Sequence, residues 1–222
     1  MADTTPAEFP LSFLEYRAVF EHPVFGFLAR PDAPLPQAIF EALEGWGITL
    51  ENVTFKQNPV NANEIQLNFN LPQQRITVQA GIGGLALYLT NPNWSQAAEI
   101  TSIGSAVLEA VKKTASVKIK NQVLNLSMHL IPVGRAGRDF TARFLNTTPE
   151  MAALVGEPKS FGFSYYGTDA VWVVDSSALF PSGIFVRYMR TFAAESSLTE
   201  MASILKKNED TILQILGLHE RE

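Results

Sequence analysis

The chain has 222 residues, a formal net charge of −5, no cysteine and 18% charged residues, whereas an average soluble domain carries roughly 25%. A hydrophobic content of 46% excludes an intrinsically disordered chain, and the lack of cysteine excludes disulfide scaffolds, thiolate metal sites and cysteine nucleophiles. Because the chain has 22 Asp and Glu residues and only 17 Lys and Arg residues, it has no overall basic character, and no nucleic acid is expected as a partner.

The chain begins with a strand and a short helix. Apolar and polar side chains alternate over 12–20, which is typical of a half-buried strand. Prolines then precede a short helix with one apolar face, formed by Leu35, Ile39 and Leu43 and ended by Gly45 and Gly47.

From 49 to 89 the pattern has a period of two and predicts a meander of antiparallel strands. The clearest strand alternates Ile65, Leu67, Phe69 and Leu71 with polar residues. A turn at 71–74 and glycines at 81, 83 and 84 separate the following strands.

A longer helix follows. Asn93 and Gln96 resemble a capping box at its start, and an apolar stripe follows them. The stripe consists of Ile100, Ile103, Val107, Leu108 and Val111.

The second half predicts a strand over 117–133, in which the apolar phase slips between Ile119 and Leu124, indicating a bulge or a late start. A loop at 134–137, helical turns near 140–145 and a short helix over 148–156 come next. Three strands at 160–166, 170–174 and 184–192 precede a last helix. That helix opens with a capping box at Ser197 and Glu200, ends at Gly217, and is expected to bury Leu198, Met201, Leu205, Ile212 and Ile215.

The predicted fold class is therefore α+β, with antiparallel sheet and helices packed on one face. Both halves of the chain, 10–115 and 116–218, have the order strand, short helix, antiparallel strands, long helix. This order indicates either a structural duplication or an accidental recurrence of elements. Because no Pro/Gly/Ser-rich linker lies near Ala115, we expect residues 1–222 to form a single compact unit.

Residues 1–10 lack the basic and apolar regions of a signal peptide, and no apolar run approaches the roughly 18 residues of a membrane span. We therefore expect a cytoplasmic protein without a membrane span.

Three segments carry a resemblance to other proteins: the strand at 14–20, the glycine- and leucine-rich strand at 84–89, and a tryptophan that opens the long helix within Asn91-Pro92-Asn93-Trp94. In these segments the chain resembles a sporadically distributed family of uncharacterised bacterial proteins. The similarity covers residues 12–146 and lies in element types. It implies the two-half α+β layout and no activity, since the family has no assigned catalytic residues.

The motifs of common enzymes do not fit this chain. Gly81, Gly83 and Ala86 match a variant of the dinucleotide-binding fingerprint, which must open a helix. Here a strand and Pro92 follow, so the glycines favour a hairpin. His22, His129 and His219 are too scattered for a metal site, and we predict no catalytic residue, metal or cofactor.

One loop suggests an anion site. Gly134-Arg135-Ala136-Gly137-Arg138 precedes predicted helical turns, and Arg143 follows about one turn later. Guanidinium groups and backbone amides at a helix start suit a phosphate or a carboxylate. The alternative is a solvated loop in which Asp139 caps the helix or pairs with an arginine.

The meander suggests an interface. Only Glu64 and Arg75 are charged among the 42 residues from 57 to 98. The outward positions are instead Gln66, Asn68, Asn70, Thr77 and Gln79. Such a face suits another protein, a second copy or a carbohydrate, because exposed sheet faces normally carry charges that oppose association. The alternative is a polar face that merely lacks lysine.

These observations favour a non-enzymatic binding or assembly protein that uses the charge-poor meander as an interface and self-associates. The alternative is a small-molecule-binding domain or an enzyme, with a pocket between sheet and helices for an anionic ligand. Its polar groups would come from Arg135, Arg138, His129 or Asp175, and its lining from Phe161, Phe163, Tyr165, Tyr166 and Trp172.

Overall fold

The computed structural model describes residues 4–25, 34–56, 65–142, 144 and 162–220. Within these ranges the α-helices are α1 (Pro34–Leu43), α2 (Ala97–Ala115), α3 (Gly137–Ala142) and α4 (Leu198–Leu216). The strands are β1 (Thr5–Phe20), β2 (Val53–Lys56), β3 (Gln66–Leu71), β4 (Ile76–Gly81), β5 (Gly84–Thr90), β6 (Ile119–Pro132), β7 (Phe163–Tyr166), β8 (Ala170–Ser176), β9 (Ile184–Phe192) and β10 (Leu218–Glu220).

The strands form one mostly antiparallel sheet in the order β2-β3-β4-β5-β1-β6-β9-β8-β7, and β10 pairs in parallel with the start of β1. The predicted α+β class is confirmed. The predicted repetition of element order between the halves 10–115 and 116–218 stays a prediction.

Spatial proximity groups the residues into two units that do not follow the chain order. One unit contains residues 14–124 and 191–204, and the other contains residues 1–13, 125–190 and 205–222. The meander, α1 and α2 belong to the first unit, whereas α3 and β7 to β9, up to Arg190, belong to the second.

The meander of the first unit has two chemically different faces. Leu67, Phe69, Val78 and Leu87 are buried on one face, and alternating polar side chains occupy the other. Helix α2 packs on the apolar face, where Gly104 lies so close to Leu87 and Leu198 that a Cβ atom would come within 3.2 Å and 2.7 Å of their methyl groups. The period-two pattern in the sequence therefore identified the core face correctly.

Gln122 is a buried polar residue of the first unit, at 1% exposure. Its Oε1 accepts a hydrogen bond of 2.6 Å from the Tyr16 hydroxyl, and its Nε2 donates to the carbonyl oxygens of Ala193, Ala194 and Ser196 at 2.8–3.2 Å. Burial also raises the pKa of Tyr16, which keeps its hydroxyl protonated. These bonds tie β1 and β6 to the segment that leads into α4.

The apparent phase slip between Ile119 and Leu124 has a simple cause. Gln122, Leu124, Leu126, Met128 and Leu130 are all buried at even positions of β6. The strand starts late, at Ile119 instead of 117, and the glutamine continues the buried row. A hydrogen-bonded polar side chain thus occupies a position in an otherwise apolar buried row.

In the second unit, the loop between β8 and β9 meets the start of α3. The Gly137 amide donates to the Ser182 carbonyl at 2.8 Å, and Phe140 is fully buried. Asn208 on α4 donates to the Tyr188 hydroxyl on β9 at 2.8 Å. These contacts join the helices of this unit to its strands.

Several predicted boundaries were wrong. β1 begins at Thr5 instead of 12, because Thr5–Ala7 pairs with β10 near the other end of the chain. Asn93 accepts from the Ser95 amide, and α2 begins only at Ala97, after a 3-10 turn at 94–96. Ile215 is 56% exposed instead of buried. The helix predicted at 148–156 lies outside the described residues.

None of the helices in the described ranges is both long and apolar enough to cross a membrane.

Gly84→Ala is expected to destabilise the protein by about 1–3 kcal/mol, as overpacking typically does. A Cβ atom at Gly84 would lie 2.4 Å from the Ala18 carbonyl oxygen in the neighbouring strand. Gly83→Ala is the matched control, because a Cβ atom there meets nothing within 4 Å. Urea denaturation measures the free energy of unfolding of both variants. Equal values would contradict the close approach of Gly84 to the Ala18 carbonyl oxygen.

Tyr16→Phe is expected to lower the free energy of unfolding by about 1–3 kcal/mol, because it leaves the buried Gln122 oxygen without its donor. Tyr88→Phe is the control. It also removes one hydroxyl, but from a half-buried side chain on the polar face, so we expect a loss below about 1 kcal/mol. Urea titrations of both variants compare the losses, and similar losses would argue against the importance of the Gln122 network.

Candidate binding face on the meander

The polar face of the meander is formed by the five predicted side chains, hereafter the neutral face. Gln66, Asn68 and Asn70 come from β3, and Thr77 and Gln79 come from β4. The antiparallel register places Asn68 opposite Gln79 and Asn70 opposite Thr77. All five are half-buried, and none carries a formal charge.

Hydrogen bonds within the neutral face connect its side chains across the strands. Gln79 Nε2 donates to Gln66 Oε1 and to Asn68 Oδ1, both at 3.0 Å. Thr77 Oγ1 donates to Asn70 Oδ1 at 3.0 Å, and Asn70 Nδ2 donates to the Asn52 carbonyl at 3.1 Å. Because these bonds restrict the rotamers before any partner arrives, binding at this face loses less side-chain entropy.

Three side chains that the sequence analysis did not select border the neutral face. The Tyr88 hydroxyl on β5 donates to Gln79 Oε1 at 3.3 Å, and on β1 the Arg17 Nε donates to the Glu15 carboxylate. Burial, and then the nearby Glu15 carboxylate, raise the pKa of Tyr88, so its phenol stays protonated. Glu15 and Arg17 reach the face only because the distant strand β1 lies beside β5, whereas the alternation of Leu85, Leu87 and Leu89 already places Tyr88 on it.

A cleft of about 320 Å³ opens beside the neutral face, at the hairpin between β4 and β5. Its floor includes Gly81, Gly84 and Ala86, and its lining includes Arg17, Gln66, Gln79 and Tyr88. The glycines of the dinucleotide-like motif therefore lie in a hairpin, as predicted, and do not precede a helix.

The predicted anion loop is open to solvent. Arg135 and Arg138 are exposed, and Arg143 lies outside the described residues. Helix α3 has only six residues, and its Gly137 amide already donates to the Ser182 carbonyl. Within the described ranges, no hydrogen bond or ring contact joins either arginine to His129.

His129 lies on the predicted face of β6 but is buried, at 7% exposure. Its ring packs against Phe180 and Phe185, with centroids 5.8 Å and 5.1 Å away, and its Nδ1 lies 2.9 Å from Ser177 Oγ. Burial lowers the pKa of His129 below its ordinary 6.5, which favours the neutral ring.

Ser177 fixes the tautomer of that ring. Its Oγ accepts from the backbone amides of Leu179 and Phe180 at 3.2 Å and 3.0 Å, which occupies both acceptor positions of the hydroxyl. The hydroxyl proton therefore points to Nδ1 of a neutral His129. These bonds connect His129 on β6 to the loop between β8 and β9.

The aromatic residues proposed to line a pocket form a row of touching rings. Phe163 contacts Phe144 and Trp172 at centroid distances of 5.7 Å and 5.5 Å, and Tyr165 stacks on Trp172 at 5.5 Å. Tyr165 and Tyr166 are 62% and 78% exposed, and Phe161 lies outside the described residues. Asp175 is exposed and accepts from the Ser176 amide.

Metal binding finds no support in the described part of the chain, where no group of three or more His, Cys, Asp or Glu residues could hold an ion.

No protein-family model matches the sequence, and no curated protein is significantly similar to it. Among solved structures, the chain is similar to the substrate-free duplicated taurocyamine kinase from Schistosoma mansoni, with a TM-score of 0.36 and 9% sequence identity. The match covers 91% of this chain and 34% of the kinase chain, so this chain spans about a third of the kinase's length. A TM-score this low assigns neither fold nor activity.

His129 should make the stability of the protein fall in mild acid. Its pKa is lowered in the folded state, so between about pH 7.5 and pH 5.5 the unfolded chain binds a proton that the folded chain does not, and the free energy of unfolding decreases. His129→Asn keeps an acceptor near the position of Nδ1 but does not titrate. We expect this variant to lose part of the pH dependence, as measured by urea unfolding at both pH values.

The control for this experiment is His219→Asn, which changes an exposed histidine. The free energy of unfolding of His219→Asn should decrease between the two pH values as much as that of the wild type. An undiminished decrease in His129→Asn would show that His129 does not cause the pH dependence.

Proposed function

We propose that the protein is a non-enzymatic binding or assembly protein that associates with a second copy of itself through the neutral face. The observation that carries this proposal is the hydrogen-bonded set of Gln66, Asn68, Asn70, Thr77 and Gln79, which covers two neighbouring strands without a formal charge.

The chemistry of these groups favours contact with a protein. Removing a charged group from water costs much more than removing an amide, and the cost for an amide is recovered when its hydrogen bonds are kept or replaced. Gln66, Asn68 and Gln79 already satisfy part of their capacity within the face. The free-energy cost of removing water from the neutral face is therefore small.

A second copy suits this face for two reasons. A carboxamide carries both donors and acceptors, so a surface of carboxamides is complementary to itself under a two-fold axis. In addition, the chain has a net charge of −5, and two copies repel each other least through a surface that carries no charge.

A second candidate function is the binding of a small molecule. The cleft between Arg17 and Tyr88 favours it, because the cleft combines a floor of small residues with several convergent polar groups.

Asn68→Lys tests the assembly. Asn68 lies between Thr54 on β2 and Gln79 on β4, well inside the face, so a lysine there would place like charges in a symmetric interface. Sedimentation velocity at micromolar concentration should show a dimer for the wild type. The dimer dissociation constant of Asn68→Lys should be at least about tenfold higher, which corresponds to about 1.4 kcal/mol.

Ser102→Lys is the matched control. It adds the same charge at an exposed position of α2, and α2 packs on the opposite face of the meander. It should dimerise like the wild type. A wild type that sediments as a monomer throughout this range would refute the proposed self-association, and equal dissociation constants for wild type and Asn68→Lys would place the interface elsewhere.

A further inference from the structure

We propose that the cleft beside the β4–β5 hairpin binds a neutral sugar, either a monosaccharide or the terminal unit of a glycan. The cleft has a volume of about 320 Å³ and lies on the same side of the sheet as the neutral face. Its shape, its charge balance and its polar groups each support this ligand class.

The shape of the cleft comes from three neighbouring outward positions that lack long side chains. Gly81 pairs with Gln66 on one side and with Gly84 on the other, and Ala86 lies directly opposite Gln79. Gly81, Gly84 and Ala86 therefore form a low floor between longer side chains. A sugar ring can place its C–H face on such a floor while its hydroxyl groups reach the rim.

The charge balance opposes an anionic ligand. Arg17 is the cation in the lining, and its Nε hydrogen-bonds to the Glu15 carboxylate, so the pair contributes no net charge. The remaining N–H groups of the guanidinium stay in a fixed plane, and the Arg17 side chain is 56% exposed. Because the Glu15 carboxylate balances the guanidinium charge, the Arg17 N–H groups can serve as donors to neutral hydroxyl groups without a net charge that would favour a phosphate or a carboxylate.

The rim offers groups that match hydroxyls. The Gln66 carboxamide supplies N–H donors, while the Tyr88 hydroxyl oxygen and Gln79 Oε1 supply acceptor positions, because both Gln79 N–H groups and the Tyr88 proton are used within the face. The bonds from Tyr88 to Gln79 and from Gln79 to Gln66 hold these groups in place before a ligand binds. A volume of about 320 Å³ lies at the lower end of the range for ligand sites, which is roughly 300–1,000 Å³, so a single sugar unit is favoured over a larger ligand.

This inference does not depend on self-association. Asn68, the residue changed in the test of the interface, does not line the cleft, nor do Asn70 and Thr77. A monomeric protein that binds sugar would refute the assembly alone, and a dimer that binds no sugar would refute the sugar site alone.

The test is a two-dimensional ¹H–¹⁵N NMR titration of the labelled full chain with glucose, galactose, N-acetylglucosamine and glucuronate. At least one neutral sugar should bind with a millimolar dissociation constant and shift the amide signals of Arg17, Gly81, Gly83, Gly84 and Ala86. Glucuronate should bind no more tightly than glucose, because the cleft has no net positive charge.

Ala86→Leu fills the floor and should weaken sugar binding at least tenfold. Ser102→Leu is the matched control, since it adds similar bulk at an exposed position of α2 outside the cleft, and it should bind like the wild type. Gln66→Ala provides a second test through a half-buried side chain if Ala86→Leu does not fold, and it should also weaken binding.

Three results would overturn the sugar site. One is the absence of shifts with all three neutral sugars, and another is tighter binding of glucuronate than of any neutral sugar. The third is unchanged sugar affinity in Ala86→Leu, or in Gln66→Ala where the former does not fold.

Discussion

The carboxamide of Gln122 holds together segments that lie far apart in the chain, and the first unit depends on it. It accepts from Tyr16, 106 residues away, and donates to carbonyl oxygens of residues 193–196, more than 70 residues away. A buried polar group lowers the stability of the fold unless it is hydrogen-bonded. The native position of Gln122 is therefore favourable only when Tyr16 and residues 193, 194 and 196 are in place to bond with it. β1, β6 and the start of α4 are thereby fixed to one another, and β1 in turn lies beside β5 of the meander.

The meander itself has two faces, because its side chains alternate along each strand. The apolar face is covered by α2, while the opposite face carries carboxamides that bond to each other across β3 and β4. Where β5 and β1 continue this face, the side chains include two very small ones, Gly84 and Ala86 on β5, beside Tyr88, and a charged pair, Glu15 and Arg17, on β1. The neutral face and the cleft are thus neighbouring parts of one surface, and they differ in depth and in the type of partner each suits.

Most secondary structure was predictable because it rests on local periodicity. The bounds of β9 were predicted at 184–192, and both the strands of the meander and the composition of the neutral face were recognised from alternation alone. Three of the failures have a common cause. Residues far away in the sequence but close in space determine where β1 begins, why Gln122 is buried and why Ile215 is exposed. A local sequence pattern does not contain that information.

The sequence by itself determined the fold class, the core face of the meander and the lack of charge on its other face, because side chains alternate along a strand whatever surrounds it. Only the tertiary structure decided that Arg17 borders that face, that Gly81, Gly84 and Ala86 form a cleft, and that His129 is buried against Ser177. The physical reason is that strands which pair in space need not be neighbours in sequence, so a site built across several strands exists only after they have paired.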